Sequence, residues 1–319
     1  MKTVKKIECY RPNTSDNVFI TCASFEERCL GVPRKFDDNY TFDKAYIFKY
    51  KHQDKQREKH LKDMVSILDT RGSIKRIVTS EDDPIPALAE LSKNLKGINH
   101  SPEESIVTLD ITTFTKHHLL LLFKTIDNLG LWDFLRIYYT PPKNYVTELN
   151  LPMSFGLRKI SPISGFVGHS PLSKPTLTVI LLGYEGDRAK AIYENLDPNE
   201  VLLIIPDPPY HKEWKGRTEK MNEHLIKIVG KDKVIGAHSK DPIKLLTKLE
   251  KIFKDYPLDK WRCSISPLGT KPQALGLYLF WRKNKGKFSI IYAQVLRHNE
   301  PFFSTGVDEP LILLSPKYK

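Results

Sequence analysis

Two short stretches decide how this chain folds. They are Val18-Phe-Ile-Thr-Cys-Ala-Ser24 followed by Phe25-Glu26-Glu27-Arg28, and Thr178-Val-Ile-Leu-Leu-Gly183 followed by Tyr184-Glu185-Gly186-Asp187-Arg188. Each opens on a run of apolar and β-branched residues, the pattern of a buried strand. Each then passes through an acid–arginine turn into helix-compatible sequence, which in the second case is Ala189 to Leu196. Glu26 and Glu185 are 159 residues apart, and Arg28 and Arg188 are 160 apart.

The correspondence extends along the chain in order. Lys44 to Tyr50 matches Val201 to Pro206 as a second strand, and Lys55 with Arg57 matches Lys215 with Arg217. Ile74 to Thr79 matches Val234 to Ala237 as a third strand. Asp83-Pro84-Ile85 matches Asp241-Pro242-Ile243, in each case an Asp and Pro that open a helix. Ile106 to Ile111 matches Arg262 to Ile265 as a fourth strand, Thr115-Lys116 matches Thr270-Lys271, and Ile137-Tyr138 matches Ile291-Tyr292 as a fifth. The offset drifts from 160 to 154 and never loses its order, as tandem duplication with small insertions requires. Strands alternating with helical patterns predict an α/β fold. We expect two tandem Rossmann-like lobes related by a pseudo-two-fold axis, each a mainly parallel sheet of five strands with helices on both faces.

The expected boundaries are lobe 1 at 1–150, a Pro/Ser/Gly-rich connector at 151–175, and lobe 2 at 176–319. The chain of 319 residues carries 50 Lys and Arg against 38 Asp and Glu, a net charge of +12, which favours anionic partners. The excess is uneven, +4 over residues 1–160 and +8 over 161–319, so the second lobe is the better candidate for an anion contact. No apolar run is long enough for a membrane-spanning helix, and the first residues lack the apolar centre of a signal peptide. Cys9, Cys22, Cys29 and Cys263 fit no common zinc or disulfide spacing. They read as reduced thiols of a cytoplasmic protein, with no metal and no cofactor expected.

Ligands of open parallel sheets bind at the carboxyl ends of the strands, so the turns there are the places to read. Neither first turn is a dinucleotide fingerprint or a phosphate-binding Walker loop. After the fourth strands come Thr112-Thr113-Phe114-Thr115-Lys116 and Ser266-Pro267-Leu268-Gly269-Thr270-Lys271. These hydroxyl-rich turns enter helices with a Lys at the start. Backbone N–H groups, the helix dipole, hydroxyls and a lysine together suit phosphate; helix capping is the competing role for the same residues. Arg28, Arg188, Arg57 and Arg217 recur near strand ends as phosphate contacts or, alternatively, as structural charges. Glu26 and Glu185 are the weak catalytic candidates. Tyr210 and Trp214, in Asp207-Pro208-Pro209-Tyr210-His211-Lys212-Glu213-Trp214, are placed to stack on a base or to brace the fold.

Ser264-Ile265-Ser266-Pro267-Leu268-Gly269-Thr270-Lys271-Pro272-Gln273-Ala274-Leu275-Gly276 resembles the turn after the fourth strand of CARF domains, the Rossmann-like sensors of cyclic oligonucleotides in CRISPR systems. Asp110 to Lys116 resembles it more weakly. Two such lobes in one chain are similar to the SAVED architecture of bacterial antiphage signalling. Leu268 departs from the family's second glycine, and the first lobe has Phe114 and no glycine there. The resemblance implies that Ser266, Gly269, Thr270, Lys271, Thr112, Thr113, Thr115 and Lys116 line a nucleotide site.

The expected function is therefore a nucleotide sensor or regulatory subunit, with a cyclic oligonucleotide among the candidate ligands, acting in antiviral defence through a partner effector protein. The two lobes would face a shared basic cleft. Binding is expected rather than catalysis. The alternatives are a phosphodiesterase working in the same cleft, with Glu26 or Glu185 as acid or base, and a nucleic-acid-binding subunit of a defence complex.

Overall fold

The computed structural model describes residues 2–11, 13–52, 54–96, 106–145, 153–212, 214–300 and 304–316. Glu213 of the predicted loop, the Lys215 side chain and the first two residues of the predicted connector lie outside them. The chain forms two α/β units, one of residues 1–146 with 304–319 and one of residues 147–303.

In the first unit the chain runs through β1 (Lys2–Thr3), β2 (Asp16–Ala23), β3 (Phe42–Tyr50), α1 (Lys55–Leu68), β4 (Ser73–Thr79), α2 (Ile85–Leu95), β5 (Val107–Asp110), α3 (Lys116–Asn128), β6 (Leu135–Tyr139) and β7 (Pro142–Tyr145). The second unit holds β8 (Ser154–Pro162), β9 (Thr176–Leu181), α4 (Gly186–Leu196), β10 (Glu200–Pro206), α5 (Trp214–Met221), α6 (Glu223–Val229), β11 (Val234–Ala237), α7 (Pro242–Asp255), β12 (Arg262–Pro267), α8 (Lys271–Lys283) and β13 (Phe288–His298). β14 (Ser304–Val307) and β15 (Leu311–Leu314) return to the first unit.

The strand orders are β1-β15-β6-β5-β2-β3-β4 and β11-β10-β9-β12-β13-β8. Five strands are mutually parallel in each, β4-β3-β2-β5-β6 and β11-β10-β9-β12-β13. Order reverses next to the first parallel strand in both, between β2 and β5 and between β9 and β12. The central strands are buried along nearly their whole length because both faces are covered, and they are mostly apolar: β2 buries Val18, Phe19, Ile20 and Cys22, and β9 buries Leu177, Val179, Ile180 and Leu181.

Two expectations change. No α-helix follows β2; Glu27–Leu30 and Pro33–Lys35 are short 3-10 turns, because Pro33 follows the first turn too closely for a helix to continue. The predicted connector also contains β8, which pairs antiparallel with β13. β8 is an edge strand with mostly exposed side chains, so its sequence carries no apolar run. Residues 304–319, predicted as part of lobe 2, belong instead to the first unit, where β15 pairs antiparallel with β6 and β1, and β14 with β7.

Candidate functional site

The acid–arginine turns are closed structural locks rather than open ligand groups. In the first unit Arg28 clasps Glu26 through Nε at 2.8 Å and Nη2 at 2.9 Å, and donates from Nη1 to the Thr140 carbonyl at 3.1 Å. Its guanidinium lies 5.8 Å from the Tyr139 ring centre, and the Ser304 hydroxyl donates to Glu26. The second unit repeats the arrangement. Arg188 donates to Glu185 at 2.5 Å and to the Ala293 carbonyl, lies 5.2 Å from the Tyr292 ring centre, and the Ser154 hydroxyl donates to Glu185. Arg28 and Arg188 are buried. Burial works against each charge, but the adjacent carboxylate holds each guanidinium protonated. A buried arginine needs a partner of this kind, and that need spends both the Arg and the Glu. Arg28 and Arg188 are thus both engaged in internal pairs. Glu26 and Glu185 are committed to the same pairs.

The first unit's threonine turn is likewise consumed from within. The Thr112 hydroxyl donates to Asp110 and accepts from the Thr140 N–H at 2.9 Å, and Thr113 donates to the Cys22 carbonyl at 2.5 Å. Thr115 caps α3, accepting from the His118 N–H at 3.2 Å while its own N–H donates to the Tyr50 hydroxyl at 3.2 Å. Lys116 is the first residue of α3 and is half-buried. Arg57 is buried, paired with Asp54, and sits 5.0 Å from the Phe25 ring centre.

The second unit's turn is only partly consumed. Thr270 caps α8 in a reciprocal capping box with Gln273: Gln273 N–H donates to the Thr270 hydroxyl at 3.2 Å, and Thr270 N–H donates to Gln273 Oε1 at 3.0 Å. The Thr270 hydroxyl also donates to the Ser239 carbonyl at 2.5 Å. Pro272 has no N–H, so α8 offers far fewer free donors than its position suggests. Gly269 makes its close approach to the Gln273 side chain rather than to open space. Thr270 is therefore the cap of α8, with Gly269 packed against the capping Gln273 side chain. Ser266 and Ser239 are different: both are fully buried, and neither hydroxyl has a hydrogen-bond partner among the described residues.

A continuous arc of cations and rings lies along the same strand ends. Arg217 of α5 stands over Tyr184, 4.8 Å from the ring centre. One helical turn earlier Trp214 meets His211 edge-on at 4.3 Å and lies 6.2 Å from Tyr210. Lys240, just after β11, sits 4.2 Å from the Tyr210 ring centre and next to Ser239. Asn222 ties the arc to the end of β9, donating to the Gly183 carbonyl at 2.8 Å. Lys271, half-buried at the head of α8, follows the Thr270–Ser239 link. The structure thus gathers Arg217, Tyr210 and Trp214 of the predicted residues beside the Ser266–Lys271 turn. It adds Tyr184, Ser239, Lys240 and Asn222, which were not predicted. Tyr184 was findable, since it matches Phe25 in the repeat; Asn222 carries no local signal.

Such an arc can hold a flat, negatively charged molecule, rings offering faces to a base and Arg217, Lys240 and Lys271 offering charge to phosphate. A hollow of about 350 Å³ elsewhere in this unit is lined by Thr176, Thr178, Arg262 and Ser264, at the amino ends of β9 and β12 and so away from these turns. No group of His, Cys, Asp and Glu with a metal-holding arrangement occurs among the described residues, and no helix there is long and apolar enough to cross a membrane.

No family model and no curated protein matches this chain. Among solved structures, the crystal structure of the cytoplasmic domain of a prokaryotic cation chloride cotransporter aligns over 88% of this chain and 96% of that one, at 11% identity and a TM-score of 0.26. A likeness that slight carries no argument about fold or function.

Proposed function

We propose that this chain is a nucleotide-binding sensor or regulatory subunit built from two Rossmann-like lobes, similar in kind to the CARF and SAVED proteins of antiphage defence. The single observation that carries the reading is the arc Tyr184–Arg217–Trp214–Tyr210–Lys240 at the carboxyl ends of the second unit's parallel strands. It combines π faces with cations along the carboxyl ends of β9, β10 and β11, starting beside the strand-order reversal between β9 and β12. A phosphate-bearing nucleotide is the ligand class that uses both features, and a cyclic oligonucleotide is the member the turn sequence favours. The signal would pass to an effector protein. The catalytic alternative is weakened because Glu26 and Glu185 are each bonded to an arginine and a serine.

The same reading includes an ancestral duplication. Its support is the shared order of five parallel strands and the recurrence of the whole Glu–Arg–Tyr–Ser lock. The repeat also reaches the antiparallel strands. Ser154-Phe155-Gly156 and Ser304-Thr305-Gly306 are 150 residues apart, and Gly156 and Gly306 have φ of 61° and 72°. On this reading the matched strands each pair with a strand of the other repeat, β8 with β13 and β14 with β7.

Calorimetric titration of the full chain with cyclic tri-, tetra- and hexa-adenylate, ATP and short single-stranded DNA tests the function. Binding of one of the nucleotides, weakened about tenfold or more by Trp214→Ala or Lys240→Gln, is the expected result. Binding of DNA alone, with a steep salt dependence, would favour the nucleic-acid-binding alternative. No binding of any of them would remove the proposal.

A further inference from the structure

We infer that the second unit alone takes the anionic ligand, because the first unit fills the equivalent position with carboxylates of its own. The inference rests on the ligand reading above and sharpens it to one phosphate-bearing molecule per chain.

Strand register defines the equivalence. Leu109 of β5 lies opposite Ile20 of β2, and Ile265 of β12 lies opposite Val179 of β9. Ile20 and Val179 are 159 residues apart, as are Glu26 and Glu185. The next residue on the fourth strand is Asp110 in one unit and Ser266 in the other. Asp110 is buried, accepting from the Thr21 hydroxyl at 3.2 Å, from the Thr112 N–H at 3.0 Å and from the Thr112 hydroxyl. It is a built-in anion at the strand-order reversal, ahead of α3. Ser266 is neutral and fully buried, with a hydroxyl that has no partner among the described residues.

A second position shows the same exchange. Arg57 and Arg217 occupy matching places, each over the ring that follows the first parallel strand. In the first unit Asp54 caps α1, accepting from Gln56 N–H at 2.8 Å and Arg57 N–H at 2.9 Å, and its other oxygen pairs with the Arg57 guanidinium. In the second unit Trp214 stands where Asp54 does. Arg217 has no such ion pair among the described residues, while its buried Nε, like that of Arg57, has no hydrogen-bond partner there. Among the described residues of the second arc's loops, Asp207 opens one loop, and Asp241 is engaged capping α7 by accepting from Ile243 N–H at 2.9 Å and Lys244 N–H at 3.1 Å. An anion approaching the first unit would meet Asp110 and have to displace Asp54. At the second it would supply an acceptor for Ser266 and a counter-charge for Arg217, neither of which a described residue provides.

Equilibrium dialysis of the full chain with radiolabelled inorganic pyrophosphate tests this. One molecule per chain is expected, lost about tenfold or more in affinity in Arg217→Gln and in Ser266→Asp, and unchanged in Lys116→Gln. Circular dichroism melting of each variant identifies any loss that is only misfolding. Two molecules per chain, a loss in Lys116→Gln equal to that in Arg217→Gln, or no pyrophosphate binding would overturn it. The two proposals fail separately: pyrophosphate bound once with no nucleotide bound leaves this inference standing without the sensor reading, whereas nucleotide bound twice leaves the sensor reading standing without this inference.

Discussion

His118 and Asp110, both buried in the first unit, have opposite protonation preferences. Burial, with His117 beside it, pushes the His118 imidazole down to about 3, while its two ring nitrogens engage the Thr79 and Thr115 hydroxyls at 3.0 and 2.7 Å. Burial pushes the Asp110 carboxyl up to about 6, against the donors from Thr112 and Thr21. Between about pH 3 and 6.5 the unfolded chain protonates His118 and the folded one does not, so its contribution to stability falls as the solution is acidified. Between about pH 4 and 6 the folded chain holds a proton on Asp110 that the unfolded one releases, so its contribution falls as pH rises. Each slope is about 1.4 kcal/mol per pH unit, and in the shared window they cancel. Denaturant unfolding of His118→Gln should therefore show stability decreasing from pH 4 to 6 relative to the parent, and Asp110→Asn should show it increasing. Parallel profiles for both variants and the parent would mean these groups titrate normally. None of this was legible from the adjacent histidines or from Asp110 in the sequence, because burial depends on what the fold lays over them. The same holds for Arg28 and Arg188. Their recurrence was visible, but only the Thr140 and Ala293 carbonyls and the two serines reveal locks instead of ligand contacts.

Elements were more legible than side-chain roles, for a reason visible in α8. Its start was marked by Thr270 and Lys271, and the structure adds a capping box between Thr270 and Gln273 three residues later. What the sequence left open was whether those groups also serve a ligand. The cap gives Thr270 a structural role, and a prediction follows for stability. Thr270→Ala should cost about 1 kcal/mol in denaturant unfolding, and Thr270→Ser close to nothing. Gly269→Ala should act in the same direction, since a methyl group there meets Gln273 Oε1 and disrupts the box. A Thr270→Ala chain as stable as the parent would place the cap's contribution elsewhere. The strands were read from apolar runs, which succeed where both faces are covered and fail at edges. β9 and β10 are almost wholly buried and stand out, whereas β8 exposes most of its length and does not.

At the scale of the whole molecule, the chain's two ends meet in one sheet. β15 lies between β1 and β6, and β14 beside β7, so strands about 170 residues beyond β6 and β7 complete the first unit. The second unit instead takes β8, from just after the first unit's own strands, as the antiparallel neighbour of β13. Sequence order alone pointed to two consecutive lobes, because nothing local to Ser304–Leu314 says which sheet edge it will join. Long-range pairing decides that, and the Ser-x-Gly shared by β8 and β14 does not name the partner strand. Truncation distinguishes the arrangements. Removing residues 304–319 takes Leu311 and Leu313 from the first unit's core, roughly 3–6 kcal/mol of apolar burial. It also takes the Ser304 hydroxyl from Glu26 and leaves β6 as an open edge. Hydrogen–deuterium exchange should then rise in β6, β5 and the Glu26–Arg28 turn, near the start of the chain, while β9, β12 and the β13–β8 pair keep their protection. Two lobes formed in simple succession demand the reverse, with protection lost beside β13 and retained around Glu26.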